Sequence, residues 1–120
     1  MTPILFSSTM RPDEARDFYS RVLGFELTDE SQFALKFDGA GTMVRVQKVG
    51  DFTPLPFTLI GWRVADIAGK MEELAARGAV FERFEFLQEG ERGAWSAPDG
   101  AKVARFKDPD GNTLSLTEFS

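Results

Sequence analysis

The chain alternates between short strand-like segments and two segments with helical periodicity. In the first helical segment, apolar residues recur at positions i, i+3, i+4 and i+7. A proline followed by two acidic residues favours a helix start at Pro12, and Gly24 favours its end. The apolar residues on the shared face are Ala15, Phe18, Tyr19 and Val22. The pattern predicts a helix with one face packed on a sheet.

Short apolar segments bounded by turn residues flank this helix. They predict one strand before it, at 3–9, and further strands after it, at 25–29, 33–37 and 42–49. The first half of the chain is therefore predicted to be β-α-β-β-β.

The same order recurs in the second half. A strand is predicted at 57–64, and Asp66 is a good N-cap for a second helix. The residues expected to share the apolar face of that helix are Ile67, Met71, Leu74, Ala75 and Gly78. The remaining predicted strands are 80–86, 94–96, 102–107 and 112–119.

The length of 120 residues predicts a single domain. Within it we expect a first module at about 1–50, a linker at about 51–56 that holds Pro54 and Pro56, and a second module at about 57–120. The loop 88–93 is predicted to be a solvated turn, and a mobile lid over a site is the alternative.

Composition excludes several classes of chemistry. The chain has no cysteine and no histidine, so disulfides, thiolate metal sites and the usual general base near neutral pH are absent.

The net charge is −5 with both signs interspersed, which disfavours nucleic acid and anionic membranes as partners. Without a leader-like segment or a long apolar run, we expect a soluble, cytoplasmic protein.

A tight turn is predicted near the C-terminus. Pro109 presets φ at the first central position, Asp110 tolerates the second, and Gly111 can adopt the left-handed conformation that closes the turn. The flanking segments have the look of antiparallel strands, so the turn is predicted to be a hairpin corner.

Together these features resemble the vicinal oxygen chelate superfamily, which includes glyoxalase I, extradiol dioxygenases, fosfomycin-resistance enzymes and bleomycin-resistance proteins. The resemblance rests on the two β-α-β-β-β halves, on Phe18-Tyr19 followed by Val22-Leu23-Gly24-Phe25, and on Asp108-Pro109-Asp110-Gly111-Asn112. It implies an α+β fold of two tandem βαβββ modules, whose curved mixed sheets surround a concave cup with helices on the convex side. It also implies a homodimer.

Enzymes of that superfamily usually hold a divalent metal in the cup. The resemblance places their ligand positions near Ile4, near Leu59 and at Ser115, where this chain has no carboxylate or imidazole. Gln47 offers only a weak amide oxygen, and strand alternation puts Glu118 on the face opposite Ser115. We therefore expect no metal, no cofactor and no assigned catalytic residue, and a solvated or salt-bridged Glu118.

Strand alternation also predicts three arginines in the cup, because their apolar neighbours should face the helices. The alternative is that each arginine solvates the rim or pairs with glutamates, and Trp62 is expected in the core under the second helix. The residues predicted to bind a ligand are Phe6, Arg45, Gln47, Leu59, Arg63, Trp95, Arg105 and Ser115.

The leading hypothesis for function is a metal-independent small-molecule-binding protein, similar in plan to the bleomycin-resistance proteins. Its ligand is expected to be an organic anion with an apolar body. One alternative is a glyoxalase- or dioxygenase-like enzyme, a lyase or oxidoreductase of the same superfamily. Another is a protein-interaction module with a vestigial cup.

Overall fold

The computed structural model of the chain describes residues 1–82 and 94–120. It contains two four-stranded mixed sheets, each accompanied by one helix. The chain divides into two compact units, Met1–Leu55 with Asp108–Asn112, and Pro56–Lys107 with Thr113–Ser120. In the described residues each unit follows the order β-α-β-β-β. The turn 108–112 belongs to the first unit, although the strands on either side of it belong to the second. This confirms the predicted α+β class with two modules, while the predicted domain boundaries stay a prediction.

The sheet of the first unit has the strand order β1-β4-β3-β2. Strand β1 runs parallel to β4, and the other pairs are antiparallel. Its strands are β1 (Ile4–Thr9), β2 (Glu26–Glu30), β3 (Ala34–Gly39) and β4 (Thr42–Lys48). One face of this sheet forms the core of the unit, where the side chains of Leu35, Phe37, Val44 and Val46 are buried.

The first helix covers that buried face. Helix α1 (Pro12–Asp17) continues into a π-helical turn, Phe18–Val22, in which the amide of Leu23 donates to the carbonyl of Phe18 at 3.0 Å. The ring of Tyr19 stacks on Phe37 of β3 with centroids 5.5 Å apart. All four residues predicted for the apolar face are buried, so the position of the helix is confirmed, whereas its π-helical second half was not predicted.

The sheet of the second unit repeats the topology, with the strand order β5-β8-β7-β6. Strand β5 runs parallel to β8, and the remaining pairs are antiparallel. Its elements are β5 (Thr58–Arg63), α2 (Ile67–Ala76), β6 (Trp95–Ser96), β7 (Lys102–Lys107) and β8 (Thr113–Glu118).

Helix α2 packs against β7 and β8. Asp66 caps it as predicted, because its carboxylate accepts from the amide of Gly69 at 3.2 Å. Its buried residues are Ile67, Met71 and Leu74. Ala75, which was expected on the same face, is exposed, and so is Gly78. The apolar stripe is therefore narrower than the sequence pattern indicated.

One predicted strand falls largely outside the described residues. Of the segment 80–86, the structure shows an isolated bridge from Phe81 to Phe106 and an exposed Val80. The rest of that segment and the loop 88–93 lie outside the described residues. No helix in the described ranges is long and apolar enough to span a membrane.

Candidate functional site

The turn Asp108–Asn112 joins β7 to β8 as a hairpin corner, which confirms the prediction. The amide of Gly111 donates to the carbonyl of Asp108 at 3.0 Å, and the φ of Gly111 is +90°. That dihedral angle lies in the left-handed region, where glycine carries no Cβ penalty.

The buried carboxylate of Asp108 organises a polar cluster in the first unit. It accepts from the hydroxyl of Tyr19 at 2.9 Å, from the side-chain amide of Asn112 at 2.9 Å, and from the backbone amides of Asp110 and Asn112 at 3.0 and 2.9 Å. The side chain of Asn112 also donates to the carbonyl of Ser8 at 2.9 Å. Burial raises the pKa of the Asp108 carboxyl, although the hydrogen bonds from Asn112 and Tyr19 oppose that shift.

A second set of contacts ties the turn to the end of β1. The carboxylate of Asp110 accepts from the hydroxyl of Thr9 and, at 2.7 Å, from the amide of Met10. The turn therefore fixes β1 and the start of α1 through side chains. The sequence motif predicted the turn itself but not this network, which depends on residues about a hundred positions apart.

The face of the first sheet that α1 leaves uncovered carries part of the predicted site. Phe6 lies opposite Arg45 in the β1–β4 ladder, and Ser8 lies opposite Gln47. Phe6 is 47% exposed, Gln47 is exposed and Arg45 is half-buried. Lys36 of β3 lies opposite Arg45 on its other side. The predicted residues Phe6, Arg45 and Gln47 thus share one sheet face.

The corresponding face of the second sheet carries two rows of paired residues. In one row Gly61, Ser115 and Arg105 lie opposite one another on neighbouring strands. In the next row are Arg63, Thr117, Val103 and Trp95. Arg105 and Trp95 are half-buried and Ser115 is buried. The registers therefore place Trp95, Arg105 and Ser115 on one face, as strand alternation predicted.

Glu118 and Trp62 lie on the helix side of the same sheet. The carboxylate of Glu118 accepts from the amide of Ile67 at 2.9 Å and lies 3.9 Å from the ammonium of Lys102. This confirms that Glu118 is engaged away from Ser115. Trp62 is paired with the buried Leu116 and is half-buried, which agrees with a packing role.

Two predicted site residues lie at the margins of β5. Arg63 is exposed at the strand end, where its guanidinium sits 5.4 Å from the centroid of the Phe119 ring. It also lines an open cleft of about 480 Å³ with Asp66 and Lys70, beside the start of α2. Leu59 is 39% exposed and occupies a bulge in the β5–β8 ladder without a register partner.

The residues at the superfamily's metal positions do not fit a divalent ion. Ile4 and Leu59 supply no donor, and Ser115 supplies a neutral hydroxyl, whereas zinc, manganese and iron sites use converging carboxylate or imidazole ligands. Across residues 1–82 and 94–120, no group of three or more Asp, Glu, His or Cys side chains could hold a metal.

Residues 6–116 match the family model of the Glyoxalase/Bleomycin resistance protein/Dioxygenase superfamily. The chain belongs to this superfamily. No curated protein sequence matches the chain significantly.

Several solved structures share the fold. A glyoxalase family protein from Bacillus anthracis has a TM-score of 0.76 at 17% identity, covering 100% of this chain and 95% of its own. A glyoxalase/bleomycin resistance protein/dioxygenase from Alicyclobacillus acidocaldarius has 0.75 at 19%, covering 99% and 91%. TnmS3, an antibiotic-binding protein from Streptomyces sp. CB03234, has 0.73 at 22%, covering 100% and 96%. At these identities the likeness concerns the fold alone.

Proposed function

We propose that the protein binds a small organic anion with an apolar body and that it does so without a metal. The observation that carries the proposal is the chemistry of the uncovered sheet faces. Each presents an arginine on a strand, Arg45 in the first unit and Arg105 in the second.

The surroundings of Arg45 favour an anionic ligand. The side chains of Phe6 and Met43 lie on the same face and are 47% and 40% exposed. Arg45 itself is half-buried and forms no ion pair with a described residue. A partly desolvated guanidinium is stabilised by an anionic partner, and its planar fork suits carboxylates and phosphates. The neighbouring apolar side chains can contact the rest of such a ligand.

A structural neighbour supports binding as a use of this fold. TnmS3 is an antibiotic-binding protein with the same architecture. Its identity to this chain is only 22%, so it lends support to the class of function and gives no information on the ligand.

A metal titration separates this proposal from a glyoxalase- or dioxygenase-like enzyme. We expect zinc, manganese or nickel to leave the melting temperature of the purified protein unchanged. A specific site for the native state would stabilise it by about 2.7 kcal/mol when the metal is ~100-fold above its dissociation constant. A saturable rise in melting temperature with one metal per chain would contradict metal-independent binding.

Binding of aromatic carboxylates tests the ligand class directly. Calorimetric titration with a panel of naphthoates and phenylalkanoates, in the presence of a metal chelator, should give saturable binding. The matching neutral amides should bind more weakly. Arg45→Ala and Arg105→Ala should each weaken binding by about 1.5–3 kcal/mol, the range for charge-assisted hydrogen bonds. That Arg45 and Arg105 contact one and the same ligand stays a prediction.

Arg21→Ala provides the control for these variants. Arg21 is an exposed helix residue paired with Asp17, so its removal should leave affinity unchanged. Circular dichroism would verify that each variant is folded. Binding of amides and carboxylates with equal affinity, or failure of every carboxylate in the panel to bind, would contradict the proposal.

A further inference from the structure

Gly61 leaves an opening on the uncovered face of the second sheet. A Cβ atom added to Gly61 would lie 3.0 Å from the hydroxyl oxygen of Ser115, 3.7 Å from its carbonyl oxygen and 3.8 Å from Cγ2 of Thr58. The space that a side chain would fill is therefore directly beside the Ser115 hydroxyl. We call the row Gly61, Ser115 and Arg105 the Gly61 notch.

Ser115 lines this notch with a hydroxyl that has no hydrogen-bond partner among the described residues. The residue is only 5% exposed, and its side chain forms no hydrogen bond with a described residue. Within the described ranges, no fully buried side-chain nitrogen or oxygen lacks a hydrogen-bond partner. The Ser115 hydroxyl oxygen is therefore not fully buried, and the hydroxyl can donate to a ligand.

Arg105 supplies the positive charge within the notch itself. Arg105 lies opposite Ser115 and brings a guanidinium, whose five N–H donors can serve a ligand alongside protein contacts. The next cation along β7, Lys107, lies 3.2 Å from the carboxylate of Glu82 and 2.5 Å from the hydroxyl of Thr113. One guanidinium and one hydroxyl match the charge and the two acceptor oxygens of a carboxylate.

We infer that the Gly61 notch holds a carboxylate group of the ligand, with one oxygen beside the Ser115 hydroxyl in the space left by Gly61 and the other toward Arg105. This inference rests on the proposed function and goes beyond it in three respects. It fixes the anion as a carboxylate, gives Ser115 a donor role, and makes Gly61 a residue that sets specificity through the space it leaves.

Two single variants and their combination test the inference, with a naphthoate and a phenylalkanoate that bind the wild type as probes. Ser115→Ala should weaken carboxylate binding about tenfold, since it removes a hydrogen bond to a charged group. Gly61→Ala should weaken it by at least as much. The double variant should bind more weakly than Ser115→Ala alone, because the added methyl group occupies ligand space even when the Ser115 hydroxyl is gone.

Matched controls exist for both changes. Gly50→Ala adds a methyl group where no atom lies within 4 Å, and Ser96→Ala removes an exposed hydroxyl from β6. Both should bind the probes with wild-type affinity. Thermal unfolding of every variant would verify that the notch variants remain folded at the titration temperature.

The outcomes separate this inference from the proposed function. If the carboxylates bind and Arg105→Ala weakens them, but Ser115→Ala and Gly61→Ala do not, the notch is wrong and anion binding stands. If Gly61→Ala has no effect in the Ser115→Ala background, Gly61 acts only through crowding of Ser115, which overturns its specificity role. If inorganic phosphate competes with the probes as strongly as acetate does, the carboxylate assignment is overturned.

Discussion

At the scale of single residues, Asp108 is the buried carboxylate of the first unit that accepts hydrogen bonds from several donors. Its buried carboxylate needs several donors, because an uncompensated buried charge is costly. Tyr19 provides one of them, and burial together with the nearby Asp108 charge raises the pKa of its phenol well above the usual value. Tyr19 therefore remains a neutral donor at every physiological pH.

Removal of that donor should destabilise the protein measurably. Tyr19→Phe keeps the ring stacked on Phe37 but leaves the Asp108 carboxylate without the hydroxyl at 2.9 Å. We expect the free energy of unfolding at pH 7 to fall by about 1.5–3 kcal/mol, the range for a hydrogen bond to a charged group. Equilibrium urea denaturation would measure the change.

Thr28→Val provides the comparison for this prediction. It removes an exposed hydroxyl that donates a hydrogen bond to the carbonyl of Lys36 at 3.2 Å. The free energy of unfolding should therefore change by no more than about 0.5 kcal/mol. If Tyr19→Phe were as mild as Thr28→Val, the Asp108 cluster would not contribute to stability in the way its geometry implies.

At the scale of secondary-structure elements, sequence periodicity predicted most of the described architecture. The two helices, the hairpin at Pro109 and the alternation along β8 follow from local rules of spacing and turn chemistry. The predicted strand ends differ from the observed ends by a residue or two, since fraying and capping at termini depend on tertiary contacts.

Features that depend on long-range contacts were not predictable in this way. The π-helical turn at Phe18–Val22 keeps the same apolar residues buried as an α-helix would, so the spacing of apolar residues does not distinguish the two. The bulge at Leu59 shifts the β5–β8 register without a marker in the sequence. For the candidate site, alternation predicted the face of Arg105 and Ser115, whereas the opening at Gly61 became visible only in the ladder.

An ion-pair cluster that joins three elements gives a prediction for pH. Glu30 of β2 accepts from Arg16 of α1 at 2.7 and 2.9 Å and from Lys48 of β4 at 2.9 Å. The hydrogen bond from Arg16, followed by that from Lys48, lowers the pKa of Glu30 from 4.5 to about 2. A lowered folded-state pKa stabilises the fold above the unfolded-state pKa, and this contribution is lost as pH falls from about 4.5 through about 2.

Glu30→Gln should therefore flatten the acid side of the stability curve. Urea denaturation between pH 5 and about 2 should show a smaller loss of stability in Glu30→Gln than in the wild type. The raised pKa of Asp108 acts in the opposite direction, so the comparison is made between proteins at each pH. Glu26→Gln changes an exposed residue of the same strand and should follow the wild-type curve, and identical curves for all three proteins would contradict the prediction.

At the scale of the whole molecule, the outer strands of the two sheets differ in how they are protected. In the described residues, β1 and β2 are the outer strands of one sheet, and β5 and β6 are those of the other. Strand β2 carries Glu26, Asp29 and Glu30 and an irregular register, which are features that discourage edge-to-edge pairing. Strand β1 carries no charged residue, and its Ile4 and Phe6 are 45% and 47% exposed.

An uncharged, apolar edge of this kind is expected to be covered by another chain, and we therefore predict a homodimer. Multi-angle light scattering at low micromolar concentration should give twice the 13.4 kDa mass of the chain. Ile4→Lys, which places a charge on the β1 edge, should shift the protein toward the monomer, whereas Glu26→Lys on the already charged β2 edge should not. A stable 13.4 kDa species for the wild type would contradict the dimer, and a dimer unaffected by Ile4→Lys would show that a different surface forms the interface.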